Sequence, residues 1–301
     1  MVKRVIRSAL AHLPLSWRRG ISWTAIWIEE GLQAVRVTYL KKAGMGEFDF
    51  SGFKCGHKKI ECHILGSGWS LNSSFSTIDF DKAFIIGFNF SFLKCVDPDL
   101  HFIENASLKN EMFFDNSLDH YYALRKLEVF KKTIVVFKNL SEFKNSRRLI
   151  RFMYSDKALF VRDRHYRIFG GDEINSVIKD MMRYKKGVPQ AVSSIISLIF
   201  LARLMGFKRI IVHGLDFCGP HFYGKDLKKV IYHDYDFSEV GLDRTYQNDS
   251  DQHKTASGEN GVGVRELLLR IKRYFADSGV EVIAATELSP SAQILGARMN
   301  D

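Results

Sequence analysis

Gly66-Ser67-Gly68 follows a short expected strand in which Ile60, Cys62 and Ile64 alternate in apolar character, with Ser70 two residues further on. A glycine-containing loop leaving a strand lets a ligand approach the backbone, and its N–H groups can converge on phosphate or ribose. Two glycines by themselves favour an ordinary strand-to-helix turn, so the loop draws its weight from residues later in the chain. Asn89 ends the run Lys82 to Phe88, and Asn105 ends Leu100 to Glu104. Each amide either forms a turn or offers a donor and an acceptor to a base or ribose. Ser193 and Ser194 stand in the first turn of an apolar helical stretch, as caps or as ligand contacts. His253 lies in a long polar stretch, Gly219 to Gly261, with His221, Tyr223, Lys225, His233, Arg244, Tyr246 and Lys254. A histidine with a pKa near ~6.5 can take a proton from an acceptor hydroxyl at neutral pH. On its own, His253 reads as a surface histidine.

The elements that must position these residues alternate between strand and helix from Lys58 onward, which predicts an α/β layered domain. Strands are expected at Lys58 to Leu65, Lys82 to Phe88, Leu100 to Glu104, Thr133 to Phe137, Lys208 to Gly214 and Val280 to Ala284. Helices are expected at Ser117 to Phe130, after Asp172 as a cap, at Gln190 to Met205, at Val262 to Phe275 and from Ser289-Pro290. Asn145 to Gly171, rich in Arg, Phe and Tyr, lies where a lid or acceptor-binding insertion would sit. In open α/β folds ligands bind at the carboxyl edge of the sheet, where both asparagines fall.

The 301-residue chain is 46% hydrophobic and 26% charged, which fits a globular protein and excludes a disordered one. Its formal charge of +10 points to an anionic partner. Cys55, Cys62, Cys95 and Cys218 form no recognisable disulfide framework, so reduced thiols in a cytoplasmic setting are the simpler reading. Cys62 and His63 are neighbours on a strand and point to opposite faces, so no metal site is expected there. The Asp-x-Asp pattern of metal-using transferases occurs at Asp79, Asp97 and Asp234 alike and carries little weight.

The first 56 residues are set apart as a basic, tryptophan-rich helical segment, with residues 57–301 as the catalytic domain. Val2 to Leu13 has a helical period, and Trp17, Trp23 and Trp27 follow beside basic residues. From Met1 to Lys42, Lys3, Arg4, Arg7, Arg18, Arg19, Arg36, Lys41 and Lys42 against Glu29 and Glu30 give 8 − 2 = +6 of the chain's +10. Tryptophan beside arginine on an amphipathic helix suits an anionic membrane surface. Packing on the catalytic domain or on a second subunit suits it equally. No apolar run approaches the ~20 residues of a membrane span, and Arg7 and His12 interrupt a signal-peptide core, so export is not expected.

The order of the pieces is more specific than any one of them. Gly66-Ser67-Gly68-Trp69-Ser70-Leu71 follows a strand, Asn89 and Asn105 end the next strands, and Ser193-Ser194 opens a helix. Met205 to Phe217 then ends in Gly214-Leu215-Asp216-Phe217, and His253 precedes a helix. This resembles the bacterial sialyltransferases of glycosyltransferase family 42, over roughly Ile60 to Leu295. The resemblance implies a variant GT-A fold, a single Rossmann-like domain with a lid. It also implies a CMP-activated nonulosonic donor, inversion at the anomeric carbon, and neither a required metal nor another cofactor. By motif it places Gly66, Ser67, Gly68 and Ser70 in the CMP site, Asn89 and Asn105 on the nucleotide, and Ser193 and Ser194 on its cytidine part. Tyr223 would grip the phosphate, His253 would be the general base, and Asp216 would orient the loop. The family loop usually has asparagine where Ser67 stands and proline where Trp69 stands, and Cys218 replaces the first of its two phosphate-gripping tyrosines.

The expected function is therefore transfer of a sialic-acid-like or other nonulosonic sugar from a CMP donor to a glycan or glycolipid acceptor. This would serve lipopolysaccharide or capsule biosynthesis, in the cytoplasm at the inner membrane surface, without nucleic acid and with a homo-oligomer left open. The alternatives are a pterin pyrophosphokinase-like enzyme and a non-catalytic membrane or nucleic-acid binding module.

Overall fold

The computed structural model describes residues 10, 12–50, 60–94, 97–104, 132–138, 159–219, 221–222, 256 and 262–298, with only the backbone of Asn89. The helices expected at Val2 to Leu13 and Ser117 to Phe130 fall largely or wholly outside them.

An eight-stranded, wholly parallel sheet runs through the described residues in the order β1-β6-β5-β4-β3-β2-β9-β10. Its strands are β1 Gly46–Glu47, β2 Glu61–Leu65, β3 Ala83–Phe88, β4 Leu100–Glu104, β5 Ile134–Lys138, β6 Leu159–Phe160, β9 Arg209–His213 and β10 Glu281–Ala284. A separate parallel pair joins β7 Asp163–His165 to β8 Val188–Gln190. From β2 the chain steps through β3, β4, β5 and β6 in one direction. It then returns to lay β9 and β10 on the other side of β2. The reversal between β2 and β9 opens a crevice at their carboxyl ends, the place where open parallel sheets bind ligands.

Central parallel strands are covered on both faces. That is why Cys62, His63, Ile64 and Leu65 are all buried, although Ile60, Cys62 and Ile64 read as an alternating strand; Ile60 itself is exposed. One core gathers Ile64, Ile86, Phe102, Val136, Ile210 and Val212 from the strands with residues of the helices. The long helices are α1 Leu15–Lys42, α3 Ile174–Arg183, α4 Ser194–Leu204 and α5 Val264–Asp277, with single turns at α2 Leu71–Ser74 and α6 Ala292–Leu295. Apolar residues four and three apart bury one face of α5, namely Val264, Leu267, Leu268, Ile271 and Phe275.

Three local expectations change. Gln190 does not begin a helix: Val188–Gln190 pairs with β7, so α4 starts at Ser194 and Ser193 precedes it in extended backbone (φ −145°, ψ 149°). Asp172 caps nothing, because Arg18 takes its carboxylate from 154 residues away. Ser289 does not cap the last helix, which begins at Ala292; its hydroxyl turns to Leu215 and Asp216 instead. In each case a tertiary partner overrides the local signal.

Helix α1 lies against β7 and β1. Arg18 pairs with Asp172 and Glu173, Gln33 Nε2 donates to the backbone and side chain of Asp163 (2.9 and 2.7 Å), and Ile26, Val37 and Leu40 are buried.

Candidate active site at the carboxyl edge

The crevice between β2 and β9 is built from two loops locked together backbone to backbone. Gly66 N–H donates to the His213 carbonyl (2.9 Å) and Gly68 N–H to the Gly214 carbonyl (3.0 Å). A Cβ on Gly66 would stand 2.6 Å from the Gly214 oxygen. On Gly68 it would stand 2.4 Å from Asp216 Oδ2. These glycines are there because the two loops meet at a separation that leaves no room for a Cβ.

Asp216 ties the loops further. Its carboxylate accepts the Ser70 backbone N–H (2.7 Å), the Ser70 hydroxyl (2.5 Å) and the Ser289 hydroxyl (3.0 Å). Burial pushes this carboxyl above its ordinary pKa, against the hydrogen bonds that pull it down. Asp216 thus orients the loop rather than facing solvent. Ser67 offers its carbonyl to Phe222 N–H (2.9 Å) and to the His221 ring (3.2 Å), and Asn72 Nδ2 donates to the Phe222 carbonyl (2.6 Å). Phe217, at φ +63°, holds a left-handed conformation unusual for an aromatic residue. Such strain persists only where its surroundings impose it.

Behind the loops, His63 on β2 and His213 on β9 face each other. His63 Nδ1 lies 2.8 Å from His213 Nε2. Outward, His63 Nε2 reaches Glu61 (3.3 Å) and His213 Nδ1 reaches Ser74 Oγ (2.9 Å), whose hydroxyl also lies 3.1 Å from the Ser70 carbonyl. Burial lowers His63 to a pKa of about 4 against the pull of Glu61, and burial with the adjacent His63 and Arg298 holds His213 well below its ordinary value. Both rings are neutral at pH 7.

A second polar cluster crowns β4 and β5. Lys138, at the end of β5, is buried; its ammonium donates to Gln190 Oε1 and to Ser194 Oγ, both at 2.9 Å. The Ser194 hydroxyl donates in turn to Glu104 Oε2 (2.7 Å) at the end of β4. The Lys138 ammonium also stands 5.7 Å from the Phe88 ring. Val192, at φ +60°, marks the strained turn that presents Ser193 and Ser194 to this edge.

Among the residues singled out in the sequence, Gly66, Ser67, Gly68 and Ser70 sit together on the β2–β9 crevice, and Ser194 sits in the cluster over β4 and β5. The backbone of Asn89 starts the turn directly after β3, between the two groups. Three strand spacings, roughly 14 Å, separate β2 from β5. Asn105, Tyr223 and His253 lie outside the described residues. Lys138, Glu104 and Gln190 are new candidates. For Glu104 and Lys138 the one sequence signal was position, a charged residue at or directly after the end of an apolar strand; Gln190 carried none. Among the described residues no group of three or more His, Cys, Asp or Glu side chains is arranged to hold a metal ion.

No protein-family model and no curated protein matches the sequence. Among solved structures the chain is similar to the sialyltransferase CstII from Campylobacter jejuni in complex with a substrate analogue, CMP-3FNeuAc (TM-score 0.47, 13% identity, 79% of this chain and 86% of that one). It is similar also to the monofunctional alpha-2,3-sialyltransferase Cst-I from Campylobacter jejuni (TM-score 0.48, 12% identity, 81% and 82%). A variant of the sialyltransferase CST-II in complex with CMP is a third (TM-score 0.49, 13% identity, 80% and 86%).

Proposed function

We propose that this chain is an inverting glycosyltransferase of variant GT-A type that moves a nonulosonic sugar from a CMP donor to a bacterial surface-glycan acceptor. The observation that carries this reading is the clamped loop Gly66 to Ser70 at the strand-order reversal, the part of the chain that also bears the family-like motif. A donor seated there would run its nucleotide along the ends of β2 to β5. Gly66, Ser67, Gly68 and Ser70 would cradle CMP, Asn89 and Asn105 would meet the nucleotide, and Ser193 and Ser194 would hold the cytidine part, joined by Lys138 and Glu104. In the domain division proposed, residues 57–301 carry the chemistry, with a lid, and residues 1–56 precede it.

The chemistry needs a leaving group that departs with one phosphate. The acceptor oxygen attacks the anomeric carbon as the carbon–oxygen bond to CMP breaks, and CMP leaves with the electron pair. His253 takes the acceptor proton, a contribution of roughly 10²–10⁴ in rate. Tyr223 and the basic residues of the polar stretch would meet the charge growing on phosphate. We place the reaction in the cytoplasm, in lipopolysaccharide or capsule assembly.

Calorimetry with CMP, and a panel of CMP-sugars assayed for CMP release and for transfer to glycan acceptors, tests this. CMP binding with release from at least one CMP-nonulosonate is expected. Absence of both, or binding of Mg²⁺-ATP in place of CMP, overturns it.

A further inference from the structure

Helix α1 carries apolar residues on both of its sides. The side packed on the protein buries Ile26, Val37 and Leu40 together with Arg18, Ser22 and Gln33. The side turned away is apolar: Trp17 is 67% exposed, Trp27 77%, Val35 66%, and Ile28 and Leu32 53% each. Trp17, Ile21, Thr24, Ile28, Leu32 and Val35 recur four and three apart, so they share one stripe. At its start the stripe forms an open apolar trough lined by Ser16, Trp17, Gly20, Ile21, Thr24 and Ile28. An apolar surface of this extent marks an interaction site.

The charges select the occupant. The two acidic residues of α1 are turned towards the protein and neutralised there: Glu29 pairs with Arg167, and Glu30 with Arg164 (2.6 Å). The outer stripe carries no carboxylate and ends at Lys42, whereas Arg19 lines the inner side with Tyr166 and Glu173, and Lys41 pairs with Glu47. Tryptophan and tyrosine settle at the headgroup level of a bilayer, and cations beside them meet anionic lipid. A second copy of α1 fits less well. Thr24 and Gly31 interrupt the stripe and supply no knob for a helix–helix seam. At 28 residues, α1 is about 42 Å long, and among the described residues no helix is long and apolar enough to cross a membrane.

We propose that the outer face of α1 is a membrane-docking surface that lies in the plane of an anionic bilayer, with Trp17 and Trp27 inserted at the headgroup boundary. The domain is then held to the bilayer through the ion pairs on the inner face of α1. This docking stands independently of the reaction proposed above.

Full-length protein floated with vesicles of phosphatidylcholine, alone or mixed with phosphatidylglycerol, at low and high salt, tests the proposal. Anionic vesicles should carry at least about tenfold more protein than neutral ones, with the excess lost at high salt. The double variant Trp27→Glu/Val35→Glu should reduce flotation about tenfold, with its circular dichroism unchanged. Brominated lipid should quench the native tryptophan fluorescence, a measurement that needs no variant. No flotation, flotation indifferent to the double variant, or absence of quenching overturns the proposal. So does a native dimer that the double variant converts to monomer, which would give the face to a second copy.

Discussion

Asp216 and Ser70, 146 residues apart in sequence, are joined twice: the Asp216 carboxylate takes both the backbone N–H and the hydroxyl of Ser70. This pair of hydrogen bonds fixes the loop after β2 to the loop after β9 and so sets the shape of the crevice. Asp216→Ala leaves the Ser70 N–H and hydroxyl without their acceptor, at about 1–3 kcal/mol for each buried group. CMP affinity should fall by roughly 10-fold or more. Ser70→Ala keeps the backbone bond and should fall less. Calorimetric titration of the two variants, ranked in that order, checks the assignment; equal and unchanged affinities would remove Asp216 from the site.

Gly66→Ala puts a methyl 2.6 Å from the Gly214 oxygen, a backbone atom that cannot step aside alone. A cost of about 1–3 kcal/mol is expected. Gly20→Ala is the contrast. Its Cβ meets nothing within 4 Å on a helix interior, so it should stabilise by about 0.5–1 kcal/mol. Denaturant unfolding of both variants should move the midpoint in opposite directions.

Acid should weaken the fold through the buried histidine pair. His63 has a folded pKa of about 4 against an ordinary 6.5, so the unfolded chain binds the proton first. The stability tied to the neutral ring is therefore complete above about 6.5 and is lost as pH falls from there towards about 4. His213, held lower in the same direction, adds to the slope. The unfolding free energy from denaturant titrations between pH 7.5 and pH 4.5 should fall across this window, by a total on the order of a few kcal/mol. Substituting glutamine for His63 should flatten the slope; an unchanged slope would assign acid sensitivity elsewhere.

Arg18 is the only described cation within ion-pair distance of the buried Glu173 (3.1 Å), and it also holds the exposed Asp172. Burial already pushes the Glu173 carboxyl above its ordinary range. Arg18→Met strands that carboxylate, at a cost on the order of 3–5 kcal/mol. Lysine at position 18 should restore only part of it, because one ammonium cannot serve both acids as a guanidinium fork does. Chemical denaturation of the two variants checks the order.

Much of the sheet is legible in the sequence because its central strands are short apolar runs between turn signals. Leu100–Glu104 is legible with its true ends, and β3, β5, β9 and β10 to within one or two residues. The Gly-Ser-Gly loop and the Gly-Leu-Asp-Phe strand end are legible as separate motifs, but their mutual clamp is not. Nothing in the sequence says that Gly68 and Asp216 lie so close that a Cβ would collide. The start of α4 is hidden because the extended state of Val188–Gln190 is imposed by β7, a partner more than twenty residues earlier. Lys138 escapes notice because a lysine ending a strand ordinarily points to water, and its burial follows from Gln190 and Ser194 closing over it.

That burial gives the sharpest test of the candidate site. Among the described residues, Lys138 has no carboxylate within ion-pair distance; its ammonium is held by an amide oxygen and a hydroxyl, and Glu104 is reached only through Ser194. A buried cation without a direct counter-ion costs folding free energy, and an apolar side chain of similar volume in its place is often neutral or stabilising by about 1–4 kcal/mol. If Lys138 serves the nucleotide, Lys138→Met should keep or raise the thermal midpoint while lowering CMP affinity at least about tenfold, through loss of a charge-assisted hydrogen bond. If Lys138 merely braces β5 against α4, the variant should lose stability and keep its CMP affinity once folded. Thermal melting and calorimetric titration of the same preparation separate the two outcomes.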